Sequence, residues 1–145
     1  MAVQKSVETP VLPSQLRLAV MRLARRLRQE SVGDITQSQL SALSVVDREG
    51  PLSLGELADI ERVAPPSMTR IAARLEEHGW VVRTVDAADR RVARLRISDS
   101  GRALLKETRT RRDAYLASRL RSLPVDDLEI LGRALPLLER LAGSE

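Results

Sequence analysis

Apolar residues recur at helical spacing near both ends of the chain. The apolar positions near the N-terminal end predict a helix that begins at Pro13 and ends at Gly33-Asp34. Its apolar positions are Leu16, Val20, Leu23 and Leu27. The same spacing predicts a long fifth helix from Ser98 to about Leu123 and a sixth helix after it. Pro136 lies inside the sixth helix, and we expect it to kink or interrupt that helix.

Three shorter helices are predicted in the middle of the chain. Thr36 and Gln39 have the spacing of a capping box, as do Ser53 and Glu56, and each pair marks the start of a helix. Pro65 suits the first turn of a fourth helix. Because only a short turn separates the third and fourth helices, the pair is a candidate helix-turn-helix. The alternative is an ordinary helical hairpin buried in a core.

A basic β-hairpin follows the fourth helix. In its second strand Leu95 and Ile97 alternate with Arg94, which is the two-residue period of a half-buried strand. The stretch Arg83–Arg96 holds five Arg and two Asp, so its formal charge is 5 − 2 = +3. Such a charge suits a hairpin that reaches a DNA groove, and the alternative is a solvated basic turn.

These patterns predict a mostly α-helical fold with a small β-hairpin wing. We assign a winged helix-turn-helix DNA-binding domain to residues 35–101. A helical dimerisation region is assigned to residues 13–34 and 102–145, and a loose arm to residues 1–12. The length of 145 residues fits one domain with such an extension.

Composition narrows the partner to double-stranded nucleic acid. The net charge of +4 and the pI of about 10.5 suit a polyanion, and nearly all of the basic residues are Arg. Aromatic residues make up only 1% of the chain, so stacking of unpaired bases on aromatic platforms is disfavoured. The core is expected to consist of Leu, Val, Ile and Ala.

The same composition argues against an enzyme and against a metal site. The chain has no Cys and one His, and we find no glycine-rich phosphate loop and no cluster of carboxylates. We therefore expect no cofactor and no metal. There is no signal peptide and no apolar run long enough for a membrane span, so we expect a cytoplasmic protein without a membrane partner.

Two sets of residues are candidates for binding. The residues expected to contact DNA are Ser53, Pro66, Ser67, Thr69, Arg70, Arg74, Arg90, Arg91 and Arg94. Asp89 has two possible roles: it orients Arg90 or Arg91 through a charge-assisted hydrogen bond, or it caps the turn. We favour the first role, in which Asp89 is a brace for the wing arginine. The residues expected at a dimer seam are Leu16, Leu116, Leu120, Leu128, Leu131, Leu135 and Leu138. Packing within one chain is the alternative for the sixth helix.

The wing carries the most specific motif. Asp89 and Arg91, followed after five residues by Ile97 and Ser98, resemble the wing signature of the multiple antibiotic resistance regulator (MarR) family. The runs Pro66–Arg70 and Leu75–Arg83 also resemble that family's recognition-helix region. The resemblance is specific from residue 53 to residue 101 and is one of pattern over the flanking helices.

This resemblance implies a homodimeric winged-helix repressor or activator. The first, fifth and sixth helices would pair with a partner, and two winged domains would bind a pseudo-palindromic operator. Many members release DNA when a small aromatic acid or lipophile binds between the two regions. The absence of Cys excludes the thiol-switch branch, and the lack of Phe argues against an aromatic-lined pocket. The alternatives are a winged-helix protein-interaction module and a DNA-binding protein that needs no effector.

Overall fold

The computed structural model describes residues 11–143, and these residues form six helices and a small antiparallel sheet. The elements in chain order are α1 (Leu12–Arg28), α2 (Gln37–Glu49), β1 (Leu52–Ser53), α3 (Leu54–Glu61), α4 (Pro65–Glu77), β2 (Val81–Val85), β3 (Ala93–Ile97), α5 (Asp99–Leu120) and α6 (Val125–Leu141). The predicted fold class, mostly α with a small wing, is confirmed. Most of the predicted N-terminal arm lies outside the described residues, and Leu12 belongs to α1 rather than to an arm.

Local side-chain bonds start the middle helices where the sequence predicts them. The Thr36 hydroxyl accepts a hydrogen bond from the Gln39 amide at 3.2 Å, and the Gln39 side chain accepts one from the Thr36 amide at 3.1 Å. Ser53 and Glu56 form the same reciprocal pair at 3.1 and 2.8 Å. Each box satisfies amides that the first helical turn leaves without an intrahelical partner.

Some helix ends differ from the prediction. The first helix ends at Arg28, before Gly33-Asp34, because the amides of Gln29 and Glu30 bond three residues back and tighten the last turn. The fifth helix likewise ends at Leu120, three residues earlier than expected. Apolar spacing alone continues past both points, so it overestimates the length of these helices.

The predicted interruption at Pro136 is absent, since α6 is assigned as helix from Val125 to Leu141. A proline ring inside a helix presses on the carbonyl group four residues earlier. Here that residue is Gly132, and a Cβ placed on it would meet no side chain and no other segment of the chain within 4 Å. The carbonyl group that the ring faces thus belongs to a residue without a side chain, on an open face of the helix.

The sheet has one more strand than the predicted hairpin. Its strand order is β1-β3-β2, and both pairings are antiparallel. In the first pairing Leu52 lies opposite Leu95, and Ser53 lies opposite Arg94. Two residues are too few to show an alternating pattern, so the sequence does not reveal β1. Its presence places the start of α3 beside the middle of the wing.

The buried core extends from Ile35 to the first half of α5. Its largest fully buried side chains are Leu43, Val46, Leu57, Met68, Leu75 and Leu95. α5 adds Leu104 and Leu105 to this cluster, whereas α1 and α6 contribute no buried residue. The core is aliphatic, as the composition predicts. The core therefore continues past residue 101, the end proposed for the winged domain, whereas α1 and α6 leave their apolar faces open.

The end of α4 is joined tightly to the start of α5. Gly79 has φ +71°, which suits a residue without a side chain after the helix end. Its carbonyl oxygen accepts hydrogen bonds from the Ser98 and Ser100 hydroxyls. A Cβ placed on Gly101 would overlap the carbonyl oxygen of Trp80. Only glycine allows the two backbones to approach this closely.

We expect Gly101→Ala to destabilise the fold by about 1–3 kcal/mol, because the added methyl group must push two backbones apart. Chemical denaturation monitored by circular dichroism will measure the change. Gly55→Ala is the matched control, since a Cβ there meets only the Ser53 hydroxyl oxygen, at 4.0 Å. Equal stability of the two variants would contradict the close-approach argument.

Candidate nucleic-acid interface

α4 has one buried face and one open face. Met68, Ala72 and Leu75 are buried against the core, and the opposite face exposes Thr69 and Arg70. The helix is therefore not buried on both sides, as an ordinary core hairpin would be. Pro66, Ala73 and Arg74 complete the exposed face. A convex helical surface with small residues and arginines at its rim has the shape and charge to enter a major groove.

The predicted contact residues of α4 differ in how far their side chains are already engaged. The Thr69 hydroxyl donates to the carbonyl oxygen of Pro65 at 3.0 Å. Arg74 donates to the Glu77 carboxylate at 3.0 Å, which offsets its charge. Arg70 is exposed and makes no hydrogen bond or ion pair within residues 11–143. It is therefore the arginine of α4 whose donors are open to a ligand.

The two predicted serines lie at the edges of this surface. The Ser53 hydroxyl serves as the cap of α3 and accepts from the Glu56 amide. Ser67 is half-buried in the first turn of α4. One of the two lone pairs of the Ser53 hydroxyl oxygen is thus used by the helix start. Its hydroxyl hydrogen and its second lone pair remain available to a ligand.

At the wing tip Asp89 and Arg91 form a two-point ion pair. The Arg91 guanidinium donates to the two Asp89 oxygens at 3.0 and 3.1 Å. The Arg91 amide also donates to the same carboxylate at 3.1 Å, so Asp89 both orients the arginine and closes the turn. The Arg91 hydrogen bond lowers the pKa of Asp89. The side chain of Arg91 is 91% exposed and extends outward from this brace.

Arg94 has a different environment from the one expected of a DNA contact. Its Nε donates to Asp86 Oδ2 at 2.6 Å, and its Nη1 donates to Glu56 Oε2 at 3.0 Å. The other Asp86 oxygen accepts from the Ala88 amide at 2.7 Å. The Arg94 hydrogen bond lowers the pKa of Asp86, and the Ser53 amide followed by Arg94 lowers that of Glu56. Both carboxylates are thus ionised at neutral pH, and they lose these pairs only as the pH falls through the lowered values.

A second pair links the wing directly to α4. Arg83 on β2 donates two parallel hydrogen bonds of 2.9 Å to Glu76 on α4. These bonds lower the pKa of Glu76 and raise that of Arg83. The sequence patterns did not identify Glu56, Glu76 and Asp86 as partners of wing arginines. Helix and hairpin periodicity do not reveal such partners, although Glu76 and Arg83 lie only seven positions apart.

Pairing reduces the positive charge that the wing offers. Three of its five arginines are paired with carboxylates: Arg83, Arg91 and Arg94. Arg90 and Arg96 are exposed and have no ion-pair partner within the described part of the chain. The formal charge of +3 already subtracts Asp86 and Asp89, whereas Glu56 and Glu76, which lie outside this stretch, lower the local charge to 3 − 2 = +1. Arg90 is the open cation nearest the tip within the described residues.

The terminal helices present an apolar surface. Leu16 and Leu116 are half-buried, while the exposed members of the predicted seam are Leu120, Leu128, Leu131, Leu135 and Leu138. α1 and α6 enclose a groove of about 500 Å³. Its walls are formed by Leu16, Val20, Leu23, Ala24, Leu27, Leu138, Leu141 and Ala142. Leu137 and Leu141 extend the exposed face further.

Residues 11–143 also lack the features of a metal centre and of a membrane span. These residues contain no cluster of three or more His, Cys, Asp or Glu side chains that would hold a metal ion. In the same range, no helix has both the length and the apolar character that crossing a bilayer requires.

Comparison with known proteins identifies the family. The MarR family model matches residues 35–93. An uncharacterized HTH-type transcriptional regulator of Mycobacterium leprae is 44% identical over 131 residues, which are 90% of this chain and 92% of that protein. The crystal structure of a transcriptional regulator protein from Pseudomonas aeruginosa has a TM-score of 0.85 and 33% identity, covering 97% of this chain and 99% of that one.

A more distant structure has the same fold. A variant of MepR from Staphylococcus aureus, solved bound to an oligodeoxyribonucleotide, has a TM-score of 0.71 at 19% identity and covers 92% of this chain and 98% of its own. The resemblance inferred from the wing motif is confirmed by the closer relatives. The chain belongs to the MarR family of HTH-type transcriptional regulators.

Proposed function

We propose that this protein is a homodimer that binds a pseudo-palindromic duplex operator in a sequence-specific manner and represses transcription there. α4 enters the major groove, and the wing reaches the neighbouring minor groove. The observation that carries this proposal is the open face of α4, with Arg70 unengaged, fixed to a basic wing by the Glu76–Arg83 pair. The DNA-bound MepR variant, which shares the fold, supports it.

The chemistry of the open surface favours duplex DNA. Arg70 has the guanidinium fork that matches the two acceptors of guanine in the major groove. Arg90 and Arg91 at the wing tip suit the enhanced negative potential of a narrow minor groove. The small side chains around Arg70 leave room for the helix to approach base edges.

The apolar terminal helices support a dimer. A soluble chain gains about 25 cal/mol for each Å² of apolar surface that it removes from water. α1 and α6 each expose rows of large apolar side chains and bury none of them within one chain. A second copy that packs against these rows would bury them and pair two winged domains with the two halves of a palindrome.

Repression follows from occupancy, because a dimer that covers an operator within a promoter excludes polymerase. A small effector that releases the DNA, either a lipophile or an aromatic acid, belongs to the same proposal. The groove between α1 and α6 has the volume of a small-molecule site, and its walls are formed by apolar side chains. A ligand that shares this groove with the second copy would therefore be lipophilic rather than acidic.

Selection of bound genomic fragments, followed by fluorescence anisotropy on the selected duplex, tests the proposal. We expect one enriched pseudo-palindrome, bound at least about 10³-fold more tightly than random duplex. A protein-interaction module would show no duplex binding even at low salt. Binding without any sequence preference would rule out a specific regulator.

We expect the wing to supply affinity more than sequence choice. Arg90→Ala together with Arg91→Ala should weaken binding to operator and to random duplex alike. An arginine that neutralises a phosphate releases a counterion, which favours binding, and the double variant loses this contribution. The slope of log affinity against log salt should become shallower by about 1–2. Anisotropy titrations at several salt concentrations will measure it, with the exposed Arg111→Ala on α5 as control. An unchanged slope would remove the wing from the interface.

A further inference from the structure

Arg94 differs from the other wing arginines in its surroundings. Its side chain is 31% exposed, compared with 91% for Arg91, and both of its bonded nitrogens point at carboxylates of the protein itself. We propose that Arg94 is a positioning residue, which fixes the wing to the helix-turn-helix by bridging Asp86 and Glu56, and that it does not contact DNA. This inference rests on the proposed function in DNA binding.

The bridge joins two elements that are distant in the sequence. Asp86 directly follows β2. Its carboxylate also accepts hydrogen bonds from the amides of Ala88 and Asp89, and these bonds shape the wing turn. Glu56 lies in the first turn of α3, 38 residues before Arg94. Its carboxylate is held in turn by the Ser53 amide. The Arg94 guanidinium thus connects the wing turn to the helix-turn-helix.

The net charge of this cluster argues against a phosphate contact. One guanidinium and two carboxylates carry a net charge of −1 at neutral pH. A phosphate that approached Arg94 would meet the repulsion of both acids, and Arg94 would have to leave them first. Two acidic groups next to the proposed DNA-binding surface, Asp86 on the wing and Glu56 on α3, weaken its attraction for DNA, so a geometric role explains their presence better than an electrostatic one.

The geometry also requires arginine rather than any cation. Nε and Nη1 point in different directions from one rigid plane, so Asp86 and Glu56 are bonded at the same time, at 2.6 and 3.0 Å. A lysine ammonium is a single point charge on a flexible stem and cannot reproduce this fork. Arg94→Lys therefore keeps the charge and removes the bridge, which separates positioning from simple attraction to phosphate.

Two further variants weaken the bridge while keeping the local structure. Asp86→Asn replaces the oxygen that accepts from Arg94 Nε, whereas Glu56→Gln removes the charge of the group whose Oε2 accepts from both the Ser53 amide and Arg94 Nη1. Glu56→Gln retains an oxygen acceptor for the Ser53 amide, and the box of Thr36 and Gln39 shows that glutamine caps a helix in this fold. Asp86→Asn retains an oxygen for the Ala88 amide. Each variant takes one negative charge away from the DNA-facing surface, so electrostatics alone would tighten DNA binding.

Hydrogen exchange in the free protein tests the bridge without DNA. The Asp86 amide donates to the Val92 carbonyl at 2.9 Å, and the Val92 amide donates to the Asp89 carbonyl at 3.0 Å, so both report opening of the wing turn. We expect exchange at these two amides to rise about fivefold in Arg94→Lys, Asp86→Asn and Glu56→Gln, which is the effect of losing one exposed ion pair. Unchanged exchange would overturn the proposal.

Operator binding provides the second measurement. We expect each of the three variants to bind the operator about three- to tenfold more weakly than the wild type. The slope of log affinity against log salt should stay at the wild-type value. Arg94→Lys combined with Glu56→Gln should bind no more weakly than Arg94→Lys alone. Glu107→Gln, which removes one carboxylate of an exposed pair on α5, is the control for charge. Tighter binding by Glu56→Gln or Asp86→Asn, or wild-type binding by Arg94→Lys, would overturn the proposal and indicate a phosphate contact.

The two proposals fail in different ways. If the wild-type protein binds no duplex, the proposed function is wrong, but hydrogen exchange still decides whether Arg94 holds the wing. If the wild type binds its operator and the variants leave wing exchange unchanged, the positioning role is wrong and the proposed function is unaffected.

Discussion

Leu131→Glu combined with Leu138→Glu will produce a monomer that binds the operator at least about 10²-fold more weakly than the wild type. Each half-site alone binds weakly, and pairing two linked sites raises affinity by about 10²- to 10⁴-fold. Both leucines lie on the exposed face of α6, and Leu138 lines the groove with α1. Two carboxylates buried there against the Leu rows of a second copy would lack partners.

Light scattering and anisotropy on one sample will link the two effects. Because α6 contributes no buried residue to the core, the variant should keep its helical circular dichroism. Ile60→Glu, which changes an exposed apolar residue on α3, is the control and should remain a dimer. A variant that stays dimeric at micromolar concentration would show that the seam lies elsewhere.

Arg70→Ala should cost about 1–3 kcal/mol in operator binding, or roughly 5- to 150-fold, and relax the preference at one base position in each half-site. The reason is that Arg70 is exposed on the open face of α4 and has no partner within residues 11–143. A guanidinium that faces a guanine donates hydrogen bonds to two acceptors of that base at once. Loss of the Arg70 side chain therefore removes base discrimination as well as electrostatic attraction.

Comparing operator with random duplex reveals which contact Arg70 makes. Loss on the operator alone supports base reading, whereas equal loss on both duplexes would mean a phosphate contact. Arg74→Ala is an informative neighbour, because Arg74 is already paired with Glu77 and should lose less. An Arg70→Ala variant with wild-type affinity and wild-type preference would remove Arg70 from the interface altogether.

The parts of the fold that sequence predicts well are those written in short-range patterns. Thr36 with Gln39, and Ser53 with Glu56, mark helix starts through contacts three residues apart, and both boxes form. Alternation in β3 predicts which of its residues are buried for the same reason. Such features need only neighbours along the chain, so a single sequence contains them.

The features that the sequence did not reveal depend on contacts between distant segments. β1 exists because Leu52 lies opposite Leu95, and two residues carry no period of their own. Arg94 meets Glu56 across 38 residues, so its place in the alternating pattern indicated an outward cation and nothing about its partners. The composition of the wing predicted its charge, but only the fold shows which arginines are already paired.

The hydrogen bonds from Ser98 and Ser100 to the Gly79 carbonyl oxygen couple the start of α5 to the end of α4, so the two move together. α5 has 22 residues and is therefore about 33 Å long. The first end of α5 is bonded to the end of α4, and its last end lies next to the terminal helices. If α5 tilts by about 6° about its last end, its first end moves by about 3.4 Å, which is the rise of one base pair. In the proposed dimer, two subunits that tilt in opposite senses would each shift α4 by one base pair relative to the proposed operator. In the proposed dimer, a tilt of this size is thus large enough to decide whether both half-sites are engaged.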